Sequence, residues 1–249
     1  MLTGEVFAHR FGLTVSDLPD LEQAHAILVL PGVSPREARY PAWQINATGQ
    51  PFPAASVERA VDAAGPIDVL VNNAGFGAVA PVELTAPETA RALFETNVLG
   101  TLAMVRAVAP HMRRRRAGVI VNVSSTVTVK TLPLIGVYSA SKAAVNAFTA
   151  SLALEMQPFG VRAHLVLPGR APQTRFGDNA MPHLRGMDDL DYSPQLQGFV
   201  QSVLEDQGPV THATDVAQAV WRAATDPAAP LRIAAGADAE LWMAEAGLA

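Results

Sequence analysis

The sequence predicts an α/β fold, in which a doubly wound parallel sheet carries helices on both faces. Three observations support this prediction. Short apolar runs have the length of buried strands, helix-like segments alternate with them, and glycine or proline marks the segment ends. The runs are continuously apolar, which is typical of parallel strands that are covered on both faces. The four runs span residues 26–30, 67–71, 119–123 and 161–167.

The composition fits one globular domain over residues 1–249. Hydrophobic residues make up 49% of the chain, which excludes a disordered protein because such chains are poor in them. Cysteine is absent, so the sequence has neither a disulfide framework nor a cysteine nucleophile. The net charge of −5 provides no basic field that would attract nucleic acid.

Targeting signals are not found in the sequence. The first residues lack a basic segment followed by an apolar run, and no apolar run approaches the ~20 residues that span a bilayer. We therefore expect a cytoplasmic protein without a membrane segment.

Helices are predicted between the strands. They span residues 56–64, 85–112 and 139–156. Thr85 is the predicted N-cap of the second helix, because Pro87 falls in its first turn and an acidic residue follows.

The run Arg113–Arg116 lies at the end of the second predicted helix. We expect these cations to complement the helix dipole in solvent, since no aromatic residues are interleaved for nucleic-acid binding. The six histidines are scattered without metal-ligand spacing, so no metal site is predicted.

Tyr138 and Lys142 are four residues apart, which places them on one face of a helix. An ammonium near a phenol favours the phenolate and is expected to lower the phenol pKa from about 10 toward neutrality. Such a phenol exchanges protons near neutral pH. Ser125 follows the strand 119–123 directly, at the sheet edge where ligands bind, so it is placed to contact a substrate oxygen.

Two further polar features follow the same logic. Asn97 lies inside the long second helix with Gly100 nearby, which suggests a helix distortion or a buried polar contact. Asn72-Asn73-Ala74-Gly75 comes directly after a strand and can turn tightly against a ligand.

Together these residues resemble the short-chain dehydrogenase/reductase family in its common form of about 250 residues. The resemblance covers about residues 56–240, and residues 232–239 are similar to one branch of bacterial members. The matching features, in the family's order, are Asn72-Asn73-Ala74-Gly75, Asn97, Ser125, Tyr138 to Lys142, and Pro168-Gly169.

The resemblance implies a single Rossmann-type domain that transfers a hydride between NAD or NADP and a carbonyl or alcohol. Tyr138 would be the general acid/base, and Lys142 would lower its pKa and bind the nicotinamide ribose. Ser125 would hold the substrate oxygen, with Ser124 as the alternative serine. Asn97 would order a water in the proton relay, although a purely structural amide stays open.

The resemblance also implies cofactor contacts at the ends of two strands. Asn73, Ala74 and Gly75 would line the adenosine side, and Pro168 and Gly169 would pass the nicotinamide. A homodimer or homotetramer through the two long helices is expected.

Residues 1–55 depart from the family pattern, because the usual Thr-Gly-x-x-x-Gly-x-Gly turn is not found. Leu2-Thr3-Gly4 or residues 27–34 could take its place. Without the turn's amides, dinucleotide binding is expected to be weak. Two alternatives to the oxidoreductase therefore stay open: a binding protein or subunit of the same fold, and a non-redox lyase or dehalogenase.

Residues 176–208 follow the Pro168-Gly169 strand end and are expected to cover the substrate pocket. The segment is rich in apolar side chains, which favours a hydrophobic alcohol or ketone as substrate.

Overall fold

The computed structural model describes residues 27–29 and 66–248. They form one five-stranded sheet, in which the strands follow one another in chain order. Strands β2 to β5 are parallel, as predicted. The strands are β1 (Ile27–Val29), β2 (Val69–Asn72), β3 (Gly118–Val123), β4 (Val161–Pro168) and β5 (Arg232–Ala235). The helix predicted over residues 56–64 lies outside the described residues. So do residues 1–55, which depart from the family's sequence pattern, apart from β1.

Strand β1 differs from the predicted all-parallel arrangement. It pairs antiparallel with β2, so that Ile27 lies opposite Val71 and Val29 opposite Val69. An apolar run of this length predicts a buried strand but carries no information on its direction, which the chain connection decides.

Helices cover both faces of the sheet. The first face carries α1 (Pro87–Phe94), α2 (Thr101–Arg115) and α3 (Gly136–Met156). Leu70 and Ile120 of the strands pack there in one cluster with residues of α2 and α3. Their neighbours in sequence point to the opposite face, because side chains alternate along a strand.

The second face is covered by α6 (Ala213–Thr225). Val71 and Val121 pack against it, in a cluster that includes Val216 and Val220. The helices α4 (Phe176–Ala180), α5 (Ser193–Glu205) and α7 (Ala237–Glu245) complete the described part. The predicted doubly wound class is therefore confirmed for the parallel strands.

The second predicted helix begins differently from the expectation. Ala86 is its N-cap residue and Pro87 its first residue, whereas the Thr85 hydroxyl donates to the Pro81 carbonyl at 3.0 Å. The predicted N-cap at Thr85 was therefore wrong. Helix α3 begins at Gly136, three residues before the predicted start, and this places Tyr138 inside its first turn.

The run Arg113–Arg116 at the end of α2 makes more contacts with the protein than predicted. Arg115 pairs with Asp68, and the Arg116 guanidinium donates to the Pro158 carbonyl at 2.6 Å. Arg113 and Arg116 both lie over the Phe159 ring. These cations hold neighbouring elements together in addition to facing solvent.

The helical run Pro87–Arg115 is long and apolar enough to cross a membrane by length and composition alone. The sequence predicted no such run. Met104, Val108 and Met112 on this run are buried against the sheet, which accounts for its apolar face as part of the core. Among residues 66–248 there is no group of three or more side chains that could hold a metal ion.

Candidate active site

The carboxyl ends of β2, β3 and β4 bring the predicted site residues to one edge of the sheet. Asn72 ends β2, Ser125 follows β3 by two residues, and Pro168 ends β4. The Thr126 hydroxyl donates to the Pro168 carbonyl at 3.0 Å, which ties the serine loop to the end of β4. In open parallel sheets, ligands bind at this edge.

Tyr138 and Ser125 meet at this edge. Tyr138 lies in the first turn of α3 and is only 7% exposed, and the Ser125 hydroxyl is near enough to its phenol to favour the phenolate. Burial raises the pKa of the Tyr138 phenol to about 12, and the neighbouring Ser125 hydroxyl opposes that rise only in part. The expected lowering of the Tyr138 pKa was therefore wrong for this arrangement, because the cost of burying a phenolate outweighs the neighbouring groups.

Lys142 lies one helical turn beyond Tyr138 and is buried. Its Nζ atom donates to the Val123 carbonyl at 3.0 Å. Burial lowers the pKa of Lys142 to about 8. An ammonium carries three N–H bonds, so hydrogen-bonding capacity remains beyond the one bond to Val123.

The two serines of the loop point in different directions. The Ser124 hydroxyl donates to the Lys142 carbonyl on α3 at 3.4 Å, whereas Ser125 faces Tyr138. The Ser125 oxygen also accepts the Val127 N–H at 3.4 Å. This geometry favours Ser125 over Ser124 as the serine that contacts substrate, a role that stays a prediction.

Asn97 lies in a π-helical segment, Glu95–Gly100, between α1 and α2. The predicted helix distortion and buried polar contact are therefore both present. Its Nδ2 atom donates to the Phe76 carbonyl and the Ser141 hydroxyl, both at 3.0 Å, and its Oδ1 atom accepts the Phe76 N–H at 3.1 Å. The amide thus uses both of its N–H bonds to hold Phe76 against α3. This corresponds to the structural role that the sequence left open, and the predicted water-ordering role stays a prediction.

The turn after β2 packs closely on these residues. A Cβ atom at Gly75 would lie 2.8 Å from Asn97 Oδ1 and 3.2 Å from Lys142 Nζ, so a larger residue would have to displace these side chains. The Oδ1 atom of Asn73 is buried without a hydrogen-bond partner. Ala74 is half-buried between them. Their predicted contact with a cofactor stays a prediction.

Aromatic side chains from residues 176–208 cover Tyr138. The Phe176 ring lies 5.7 Å from the Tyr138 ring, and a Cβ atom at Gly77 would lie 2.9 Å from the same Phe176 ring. The His183 ring lies 4.8 Å from the ring of Phe76. Sequence reasoning predicted a covering segment but did not identify Phe176 as its contact with Tyr138, because spacing does not show which side chain of a loop turns inward.

Sequence reasoning also missed Thr211 and Asp238. Both are buried, and both contact the backbone that follows β4. Asp238 falls in the segment 232–239, which resembles bacterial members of the family, but no local pattern in that segment points to a contact with a residue 68 positions earlier.

The family follows from sequence comparison. A sequence model described as short chain dehydrogenase matches residues 24–183. An uncharacterised oxidoreductase of Schizosaccharomyces pombe is 35% identical over 190 residues, which is 76% of this chain and 78% of that protein. The chain therefore belongs to the short-chain dehydrogenase/reductase family and is an oxidoreductase of that family.

Two further comparisons indicate what similar proteins do. The 3-ketodihydrosphingosine reductase of Bacteroides thetaiotaomicron is 34% identical over 182 residues, covering 73% of this chain and 67% of that protein. A crystal structure of a short chain dehydrogenase from Burkholderia cenocepacia in complex with NADP has a TM-score of 0.58 and 29% identity, over 82% of this chain and 76% of that one.

Proposed function

We propose that this protein is an NAD- or NADP-dependent oxidoreductase that interconverts a hydrophobic ketone and the corresponding alcohol. The observation that supports this most strongly is the placement of Ser125 beside the Tyr138 phenol, with Lys142 one turn away on the same helix.

In the proposed reduction, Tyr138 donates the proton to the carbonyl oxygen. With a pKa of about 12 the phenol keeps its proton at neutral pH, so it acts as a general acid toward a carbonyl oxygen. The Ser125 hydroxyl already faces the phenol oxygen, so a substrate oxygen between the two would accept from both hydroxyls. The carbonyl carbon receives its hydride from the nicotinamide when the cofactor is bound.

The residues at the sheet edge fit a nicotinamide dinucleotide. Lys142 has N–H bonds beyond the one used by Val123, and ribose hydroxyls are acceptors for them. The unpartnered Asn73 Oδ1 atom is an acceptor for a hydroxyl or amine donor. Pro168 and Gly169 lie at the end of β4, next to the serine loop. The NADP complex of the related Burkholderia enzyme supports the same cofactor class.

A hydrophobic substrate is supported by the side chains around Tyr138. Ala78, Leu93 and Ile135 are buried in one cluster with Tyr138, and Phe176 and Phe199 pack against it. An alkyl chain in contact with this cluster is removed from water, which stabilises the complex by about 0.8 kcal/mol per buried CH₂. The 3-ketodihydrosphingosine reductase among the relatives supports this substrate class.

A homodimer or homotetramer through the long helices is part of the proposal, as is a cytoplasmic location. Exposed apolar side chains on the helical run Pro87–Arg115 and on α3 support the oligomer. They are Phe94, Leu99, Leu102 and Leu154. Light scattering after size-exclusion chromatography measures the oligomeric state, and a monomer at micromolar concentration would contradict it. Nothing among residues 66–248 favours the binding-protein, lyase or dehalogenase alternatives.

The cofactor is tested by titrating the full chain with NADH and with NADPH while following nicotinamide fluorescence. We expect saturable binding of at least one of them, with weak affinity because the sequence lacks the usual glycine-rich turn. The substrate class is tested with a series of methyl ketones of increasing alkyl length. Because each buried CH₂ contributes about 0.8 kcal/mol, kcat/KM should rise about 4-fold per methylene until the pocket is filled. A silent titration contradicts the cofactor, and a flat series contradicts the hydrophobic substrate.

A further inference from the structure

We infer that Thr211 and Asp238 are positioning residues that hold the backbone after β4 in the conformation that receives the nicotinamide half of the cofactor. This inference rests on the proposed function. It concerns two residues that lie 42 and 68 positions after the loop they contact.

Two successive backbone N–H groups of the loop are held by these side chains. The Gly169 N–H donates to the Thr211 hydroxyl oxygen at 2.9 Å, and the Arg170 N–H donates to Asp238 Oδ2 at 2.6 Å. In return, the Thr211 N–H donates to the Arg170 carbonyl at 2.7 Å. The loop therefore has little freedom to rotate its peptide groups.

The two side chains also fix one another. The Thr211 hydroxyl lies 2.7 Å from both Asp238 Oδ1 and the Ala235 carbonyl, and Asp238 Oδ1 accepts the Ala239 N–H at 3.0 Å. Thr211 is 0% and Asp238 2% exposed, so water cannot replace these bonds. A buried carboxylate that accepts backbone N–H bonds is a strong and directional anchor.

Gly169 lies directly above this anchor. A Cβ atom at position 169 would overlap the Asp238 carboxylate, so the loop reaches its place only because residue 169 is glycine. On its other side, the loop is bonded through the Pro168 carbonyl to Thr126, the neighbour of Ser125. A displacement of Gly169 would therefore change the surface beside the proposed reaction site while leaving Tyr138 and Ser125 on their own elements.

If Thr211 and Asp238 position this loop, replacing them should weaken only the binding contributed by the nicotinamide half of the dinucleotide. Thr211→Val keeps the side-chain shape but removes the oxygen that accepts the Gly169 N–H. Asp238→Asn replaces a carboxylate oxygen by an NH₂ group, which cannot accept a hydrogen bond from the surrounding donors. We expect the Kd for NADH or NADPH, whichever the wild type binds, to rise ~10-fold or more in both variants. ADP-ribose lacks the nicotinamide ring, so its Kd should stay at the wild-type value.

Thr149→Val is the matched control. Thr149 is also 0% exposed, accepts an N–H from Asn122 at 2.8 Å and donates to the Val145 carbonyl at 2.6 Å, and neither of these hydrogen bonds reaches the loop after β4. We expect it to lower the melting temperature about as much as Thr211→Val, with no change in nicotinamide nucleotide affinity. Thr211→Ser keeps the hydroxyl and should restore that affinity.

Isothermal titration calorimetry gives the Kd values, and amide hydrogen exchange of the nucleotide-free wild type tests the anchor without any variant. We expect the Gly169 and Arg170 amides to be protected. The inference is overturned if those amides exchange freely, if both variants bind the nicotinamide nucleotide like wild type, or if they lose ADP-ribose equally. A wild type that binds neither NADH nor NADPH overturns the proposed function instead.

Discussion

Replacing Tyr138 by phenylalanine removes a single oxygen atom from the proposed proton donor. The ring keeps its packing on Phe176, whose centroid lies 5.7 Å away. The lost interaction with Ser125 costs at most ~1 kcal/mol, which is small beside the ~5–15 kcal/mol of a folded domain. Loss of a general acid lowers a rate by ~10²–10⁴-fold. We therefore expect kcat for ketone reduction to fall within that range while the fold is kept.

The pH dependence of the wild type belongs to the same prediction. With a Tyr138 pKa of about 12, only about one phenol in 10⁵ is ionised at pH 7. The reductive kcat should then be constant between about pH 6 and 9, because the acid form is always present. Oxidation of the alcohol needs the phenolate as base, so its kcat should rise about tenfold per pH unit over the same range.

Both rates are followed by nicotinamide absorbance at saturating nucleotide, because Lys142, with a pKa of about 8, also titrates in this range and would alter nucleotide binding. Circular dichroism of Tyr138→Phe is the control for folding. A folded variant with near-wild-type kcat would refute the assignment of Tyr138. A reductive kcat that falls steeply as the pH rises through neutrality would refute the reasoning on its pKa.

Three further predictions concern the surroundings of the site. Gly75→Ala places a methyl group 2.8 Å from Asn97 Oδ1 and 3.2 Å from Lys142 Nζ. We therefore expect nucleotide affinity, measured by calorimetry, to fall ~10-fold or more. Unchanged binding would mean that the turn is not packed as described. Lys142→Met keeps the stem and removes the donors, which should raise KM for the nucleotide more than it lowers kcat, and an unchanged KM would remove Lys142 from the cofactor site. Burial lowers the pKa of His164 below 6.5, so the unfolded chain binds a proton more readily than the folded one and the free energy of unfolding should fall as the pH drops below about 6.5. Urea unfolding at several pH values measures this free energy. If the wild type and His164→Gln show the same pH dependence of unfolding, His164 is not its source.

The fold class and the order of the site residues could be predicted from the sequence. A strand such as β3 is a continuous apolar run, and a tyrosine and a lysine four apart share a helix face in any context. These properties depend on segments of a few residues, which is why the sequence by itself predicts Ser125, Tyr138 and Lys142 as candidate site residues. The helix distortion at Asn97 was also expected, because a polar amide interrupts an apolar helix.

The tertiary structure alone decided how these segments act on one another. The Tyr138 pKa rises because the packed fold removes water from the phenol, and no local spacing measures that burial. Asn97 uses its amide to hold Phe76, which lies 21 residues earlier, and Asp238 anchors Arg170 across 68 residues. Such contacts depend on the relative placement of whole strands and helices. The sequence therefore predicted the candidate side chains, whereas packing decided their partners, their burial and their protonation.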